Sequence, residues 1–213
     1  MQFGVDEAGK GPVLGSMFAA AVRADPAAVP EGIDDSKNLA PARREDLADR
    51  LRADDRICVA VAEIPPERID DPETDMNTLT VAAQAEALDG VARDGDAGVV
   101  DAGDTDADRF GRRVADRLGV DVSITAEHGA DEADPLVGAA SVLAKVARDA
   151  HVAALAAEYD HEIGSGYPSD PTTRTFLREY VADTGDLPAC ARRSWSTSQD
   201  VLAAAQQSAL SEF

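Results

Sequence analysis

The sequence predicts an α/β domain built on a five-stranded mixed sheet flanked by helices, with a helical extension at its C-terminal end. Three observations predict it. Five short segments are apolar, rich in Val, Ile or Ala and edged by turn residues, which is the pattern of strands. They run first as a meander and then alternate with helix-like stretches, an order that produces both antiparallel and parallel pairing. Beyond residue 127 no further strand is evident and the chain reads as helix.

In chain order, the first strand is expected over residues 2–5 and the second over 17–23. A helix over 41–53 opens with proline, which suits the first helical position. The third strand is expected over 56–64; after the Pro/Asp-rich turn at 70–75, a helix over 78–93 leads to a fourth strand at 98–101. A helix over 106–118 meets Gly119, a natural C-cap, before the fifth strand at 120–126. The extension holds a long helix over 134–159 with small residues on one face, then helices over 171–182 and 197–210. With no internal repeat and no low-complexity linker, the chain divides as one domain over 1–196 and a C-terminal helix or tail over 197–213.

The 213 residues are 44% apolar, enough to build a core, which excludes a disordered tail protein. Acids number 41 against 20 lysines and arginines, a net charge of −21. Such a balance argues against nucleic-acid partners, whose binding draws on cationic contacts to phosphate. The bases are themselves skewed, with 17 arginines and only three lysines: Lys10, Lys37 and Lys145. At molar salt the Debye length falls to about 3 Å, so a surface of one sign no longer repels itself. The composition therefore reads as a halophilic protein built for a salt-saturated cytoplasm, the alternative being an acidic mesophilic protein. Cys58 and Cys190 lack metal-ligand spacing and a disulfide framework, and are expected as core thiols. No apolar run reaches the ~18 residues of a membrane span and Met1 leads straight into charged sequence, so a cytoplasmic protein is expected.

The segment Gly4-Val5-Asp6-Glu7-Ala8-Gly9-Lys10-Gly11-Pro12 stands at the end of the first strand, where open α/β sheets meet their ligands. Its spacing from Gly4 to Lys10 fits a nucleotide-binding P-loop. The chemistry does not. Glycine stands at position 11, where a hydroxyl would hold Mg²⁺, and Asp6 and Glu7 would turn two negative charges on the triphosphate. Paired acids at a strand end suit instead a hard divalent cation, which prefers carboxylate oxygens. The other reading is a solvated loop in a chain of 41 acids. Gly9 and Gly11 favour a ligand, because they let backbone amides approach it unobstructed.

This opening, continued by Val13-Leu14-Gly15, resembles the first motif of type 2 ribonuclease H, the ribonuclease HII family, in its archaeal form. Further blocks follow in order: Asp34-Asp35-Ser36-Lys37-Asn38-Leu39, Met76-Asn77, Val99-Val100-Asp101, Ala130-Asp131 with Ala139-Ala140-Ser141-Val142-Leu143-Ala144-Lys145-Val146 and Arg148-Asp149, the run from Gly164-Ser165-Gly166-Tyr167-Pro168 to Thr172, and Arg193-Ser194-Trp195. Two departures stand out: Lys10, where many relatives carry arginine, and the acidic run from Gly103 to Asp108 after the third acid.

The resemblance implies an RNase H-like fold and a hydrolase that cuts the RNA strand of RNA–DNA hybrids. Ribonucleotides embedded in duplex DNA are included, and the ends left are 3′-hydroxyl and 5′-phosphate. Asp6, Glu7, Asp101 and Asp131 match the family's four acids and are the expected catalytic residues and metal ligands. They would hold Mg²⁺ or Mn²⁺, with two ions during catalysis, because paired cations activate a water and stabilise an in-line leaving oxygen. Gly9, Lys10 and Gly11 match the tripeptide that contacts the ribonucleotide, and Tyr167 matches the tyrosine that stacks on the neighbouring sugar. Without the family, Tyr167 beside Pro168 reads as a turn aromatic.

All three lysines lie inside matched blocks, so Lys37 and Lys145 join Lys10 as expected substrate contacts. Arg148 adds either a second contact or a salt bridge to Asp149 or Asp131. His128, His151 and His161 share no zinc spacing. The chain ends Gln207-Ser208-Ala209-Leu210-Ser211-Glu212-Phe213, which fits the Q-x-x-L-x-x-F core of sliding-clamp peptides. Gln207, Leu210 and Phe213 would anchor it; a last helix capping the domain is the competing reading. The expected form is a monomer, and the rival function is a catalytically silent nucleic-acid or clamp-binding module on the same fold.

Overall fold

The computed structural model describes residues 1–33 and 39–211, the side chains of 208–211 excepted. Its strands are β1 (Gln2–Ala8), β2 (Met17–Ala24), β3 (Cys58–Ile64), β4 (Ala97–Asp101) and β5 (Ser123–Glu127). They form one sheet in the order β3-β2-β1-β4-β5. β1 pairs antiparallel with β2 and parallel with β4, and β4 pairs parallel with β5. The mixed five-stranded sheet is as the sequence predicts.

β1 runs on through Asp6, Glu7 and Ala8, past the expected end at Val5. Its partner explains this: β2 continues the ladder opposite those residues with Ala20, Ala19 and Phe18. A neighbouring strand of small apolar residues thus carries two acids into the sheet, against their low intrinsic strand preference.

The helices are α1 (Pro41–Ala53), α2 (Pro66–Ile69), α3 (Met76–Asp89), α4 (Ala107–Ala115), α5 (Pro135–Tyr159), α6 (Pro171–Thr184) and α7 (Ser196–Ser211). α3 starts before the expected Thr78 because the Asp75 carboxylate accepts the Thr78 N–H at 2.9 Å as an N-cap. α4 ends at Ala115, with Asp116 still helical as its cap, so Gly119 is not the C-cap that its position suggests. α2 has no counterpart in the expected elements.

The chain forms two compact units. The first comprises Met1–Lys10, Met17–Glu63 and Asp75–Arg148. It holds the sheet and a core in which Val22, Leu47, Leu51, Leu136 and Leu143 are fully buried. Each such side chain contributes roughly 1.5–3 kcal/mol relative to exposure. The second comprises Gly11–Ser16, Ile64–Thr74 and the chain from Asp149 onward. Its core gathers Val13, Leu14, Ile163, Phe176 and Leu177, and Val201, Leu202 and Ala205 of α7 pack against it.

Of the two thiols, Cys190 is buried as expected. Cys58 is exposed, since it opens β3, an edge strand whose residues are largely accessible. Among the described residues no helix is long and apolar enough to cross a membrane.

Candidate active site

β1 is the central strand, and its alternation sends successive side chains to opposite faces of the sheet. Gly4 and Asp6 share one face and meet α5. A Cβ on Gly4 would lie 2.2 Å from the carbonyl carbon of Leu136 and the nitrogen of Val137, so only glycine lets the helix backbone approach this closely. That approach brings Ser141, a helical turn after Val137, within hydrogen-bonding reach of the Asp6 carboxylate. Lys145, one further turn along, donates to Ser141 Oγ at 2.8 Å.

Glu7 points to the other face, where α3 packs. The side-chain amide of Gln84 donates to Glu7 Oε2 at 2.6 Å and to the Asp101 carbonyl at 2.8 Å. Asp101 ends β4, and the parallel register pairs Val5 with Val100, so Asp6 and Asp101 are the next residues on adjacent strands. Asp101 Oδ1 accepts the Ala130 N–H at 2.8 Å. Asp131 follows, buried in a single turn of 3-10 helix, Ala130–Glu132. All four acids therefore belong to the first unit, at or just beyond the C-terminal ends of its parallel strands.

The electrostatics are those of crowded acids. Burial pushes the Asp6 carboxyl well above the usual carboxylate range and neighbouring Glu7 and Asp101 add to the shift, while the Ser141 hydroxyl and the Glu7 N–H oppose it. Burial likewise raises Glu7 to about 7, against the opposing effects of Gln84 and Lys10. The acids do not form a closed cage: among the described residues no group of three His, Cys, Asp or Glu side chains is gathered to hold an ion.

The donor set nonetheless fits a hard divalent cation. It consists of carboxylates alone, and two of them are held in a form that added positive charge would relieve.

The other expected residues fall as follows. Gly9 has φ 87°, a left-handed conformation that requires glycine. Lys10 Nζ donates to the Gly103 carbonyl at 2.5 Å and lies 3.4 Å from Asn77 Oδ1, so it ties down the chain after β4. In the second unit, a Cβ on Gly11 would sit 3.6 Å from the Tyr167 ring. Tyr167 is 45% exposed, which is not the accessibility of a residue covering a core. The same unit braces this segment through Trp195 Nε1, which donates to the Gly11 carbonyl at 3.4 Å. Arg148 is buried. His128 Nε2 is 2.8 Å from the Asp104 carbonyl, and His151 Nε2 accepts the Ser16 N–H at 3.2 Å. Lys37 and Phe213 lie outside the described residues, as does the side chain of Leu210; Gln207 is exposed on α7.

Sequence reasoning missed Gln84 and the structural part of Gly4. A polar residue inside the apolar run Leu79-Thr80-Val81-Ala82-Ala83-Gln84-Ala85 was the available signal for the first. For the second there was none beyond the glycine itself.

The sequence matches the Ribonuclease HII family over residues 3–198. The chain belongs to that family. A ribonuclease HII of Haloarcula marismortui is 72% identical, with both chains covered in full. The crystal structure of ribonuclease H2 from Pyrococcus horikoshii superposes with a TM-score of 0.89 at 35% identity, covering 97% of this chain and 99% of that one. The structure of the PCNA:RNase HII complex from Archaeoglobus fulgidus gives 0.82 at 36% identity, covering 94% and 96%. Membership in the ribonuclease HII family, over the full length of such relatives, makes the chain a ribonuclease H and a nuclease of the hydrolase class. It also makes the sheet described above an RNase H-like fold.

Proposed function

We propose that this ribonuclease H cuts at ribonucleotides embedded in duplex DNA as well as along hybrids, with Asp6, Glu7, Asp101 and Asp131 holding Mg²⁺ or Mn²⁺. The observation that carries this reading is the placement of the buried Asp6 at the end of the central strand, with Glu7 next to it and Asp101 at the end of the neighbouring parallel strand. Bound cations of this class supply an activated water and charge stabilisation for the leaving oxygen. The protein's own residues prepare the place. Gly4 admits α5 so that Ser141 orients Asp6, Ala130 orients Asp101, and Lys10 secures the chain after β4.

Substrate choice needs a group that senses the 2′-hydroxyl, which is both donor and acceptor. Backbone groups of Gly9, Lys10 and Gly11 take that part. The exposed ring of Tyr167 stacks on the adjoining sugar, and Lys145 and Lys37 meet phosphate. Three lysines in a chain of net charge −21 keep the binding face usable where the rest of the surface repels nucleic acid.

The catalytic domain in this reading spans 1–196, and 197–213 is the tail that docks on a sliding clamp through Gln207, Leu210 and Phe213. The Archaeoglobus fulgidus relative, solved as a complex with PCNA, supports the partner. The protein works as a cytoplasmic monomer adapted to high salt.

A duplex carrying a single ribonucleotide tests the reading, with all-DNA and all-hybrid controls in molar KCl and the metal withheld and then restored. Cutting at the ribonucleotide and along the hybrid, lost in chelator and absent from all-DNA, is the expected result. Binding without any cutting would establish the silent module instead. Deleting 207–213 leaves hydrolysis intact and weakens clamp binding; unchanged clamp affinity removes the docking role.

A further inference from the structure

Gln84 is fully buried on α3, the helix that packs against the face of β1 from which Glu7 projects. An amide nitrogen has two hydrogens. Here one goes to Glu7 Oε2 at 2.6 Å and the other to the Asp101 carbonyl at 2.8 Å. With Glu7 ionised, both partners are acceptors only, so the amide cannot be turned over without setting its oxygen against a carboxylate and a carbonyl. Its orientation is thereby fixed. Among the described residues Gln84 Oε1 makes no hydrogen bond in that buried position. An unmatched acceptor within an apolar helix face costs stability, and such costs persist where a side chain serves a site.

The two contacts bridge different strands. Glu7 belongs to β1, and the Asp101 carbonyl closes β4. We infer that Gln84 is a positioning residue for hydrolysis, a cross-brace that fixes the Glu7 carboxylate against the end of β4 so that Glu7 and Asp101 are presented together. The inference rests on reading these acids as cation ligands. It needs a side chain of this length and charge: asparagine is one methylene short, methionine has no donor, and glutamate would place a second negative charge against Glu7.

The test uses the full chain in molar KCl and two readouts: a calorimetric titration with Mn²⁺ alone, and kcat and KM on a duplex with one ribonucleotide. Gln84→Met lowers Mn²⁺ affinity about 10–100-fold, the cost of losing a residue that orients a metal ligand. It lowers kcat to a comparable degree and moves KM for the duplex less than about threefold. A part confined to stability would lower the melting temperature and leave these constants of the folded protein alone. In a Glu7→Gln background the Gln84→Met change adds nothing to the loss of Mn²⁺ affinity, because its effect runs through Glu7.

Additive losses in that double variant, or wild-type affinity and kcat in Gln84→Met, overturn the inference. If Gln84→Met does not melt cooperatively, Gln84→Asn is read by the same criteria. A wild-type protein that neither binds Mn²⁺ nor cleaves removes the reading of the acids together with the brace. Wild-type binding and cleavage matched by both variants removes the brace alone.

Discussion

Asp6 shows how one side chain can be worth more to chemistry than it costs in stability. Its carboxylate is buried beside Glu7 and Asp101, and burial favours its neutral form. A carboxyl whose folded pKa is raised stabilises the fold only while protonated, and that contribution is lost as the pH rises through the folded value. At neutral pH an uncharged isostere is therefore the better tenant in metal-free protein. Asp6→Asn is expected to lower kcat by more than about 100-fold, beyond the cost of losing a merely supporting residue. In chelator its melting temperature holds or rises. Substantial metal-dependent turnover in this variant, or a collapse of its melting transition, would refute the assignment. Asp101→Asn tests the second strand end in the same way, since the asparagine Oδ1 still accepts the Ala130 N–H and only the charge is lost.

Among the elements, β1 and α5 meet through the missing side chain of Gly4. A methyl group there would stand 2.2 Å from the backbone of Leu136 and Val137, far inside contact distance, so Gly4→Ala forces the helix outward. The expected cost is about 3 kcal/mol, or a melting temperature lower by roughly 6–12 °C. Because Ser141 retreats with the helix, activity of the folded fraction falls as well, and wild-type stability would show that α5 yields without strain.

At the other end of these strands, Asp96 ties three segments together. Its carboxylate accepts from the Met1 ammonium at 2.8 Å, Arg23 Nε at 2.5 Å and the Arg93 N–H at 2.9 Å. The Arg23 guanidinium above all holds its carboxyl well below the usual range. With the folded pKa lowered, the stabilisation is complete above the unfolded value near 4 and drains away as the pH falls toward the folded one. Asp96→Asn should cost about 3 kcal/mol at neutral pH, as breaking a buried pair does, and flatten the acid limb of the stability curve. Superimposable acid limbs for variant and wild type would show that the pair contributes no pH-dependent stability.

For the molecule as a whole the decisive quantity is a net charge of −21. Self-repulsion on that scale is tolerable only when screened, and the Debye length lengthens about tenfold, from 3 to 30 Å, between 1 M and 0.01 M salt. Thermal unfolding followed across that range of KCl is expected to show a steadily falling melting temperature as salt is withdrawn. Full stability in dilute buffer would mean that the acidic surface is not a salt adaptation.

Much was legible in the residues. Strands announce themselves by apolar, β-branched runs, α1 by its proline, and the acids by motifs whose order along the chain is distinctive. Local pattern fixed less well where elements end, since a partner strand carried β1 through Asp6 and Glu7 and an aspartate cap moved the start of α3. The primary structure by itself determined which chemical groups are available and how much charge the chain carries, because these are properties of the residues themselves. Only the tertiary structure decided that Glu7 faces α3 while Asp6 faces α5, that Gln84 spans two strands, and that Gly4 sets the distance to Ser141. Those relations join residues far apart in sequence, and their energies come from close packing and burial, which exist only once the chain has folded.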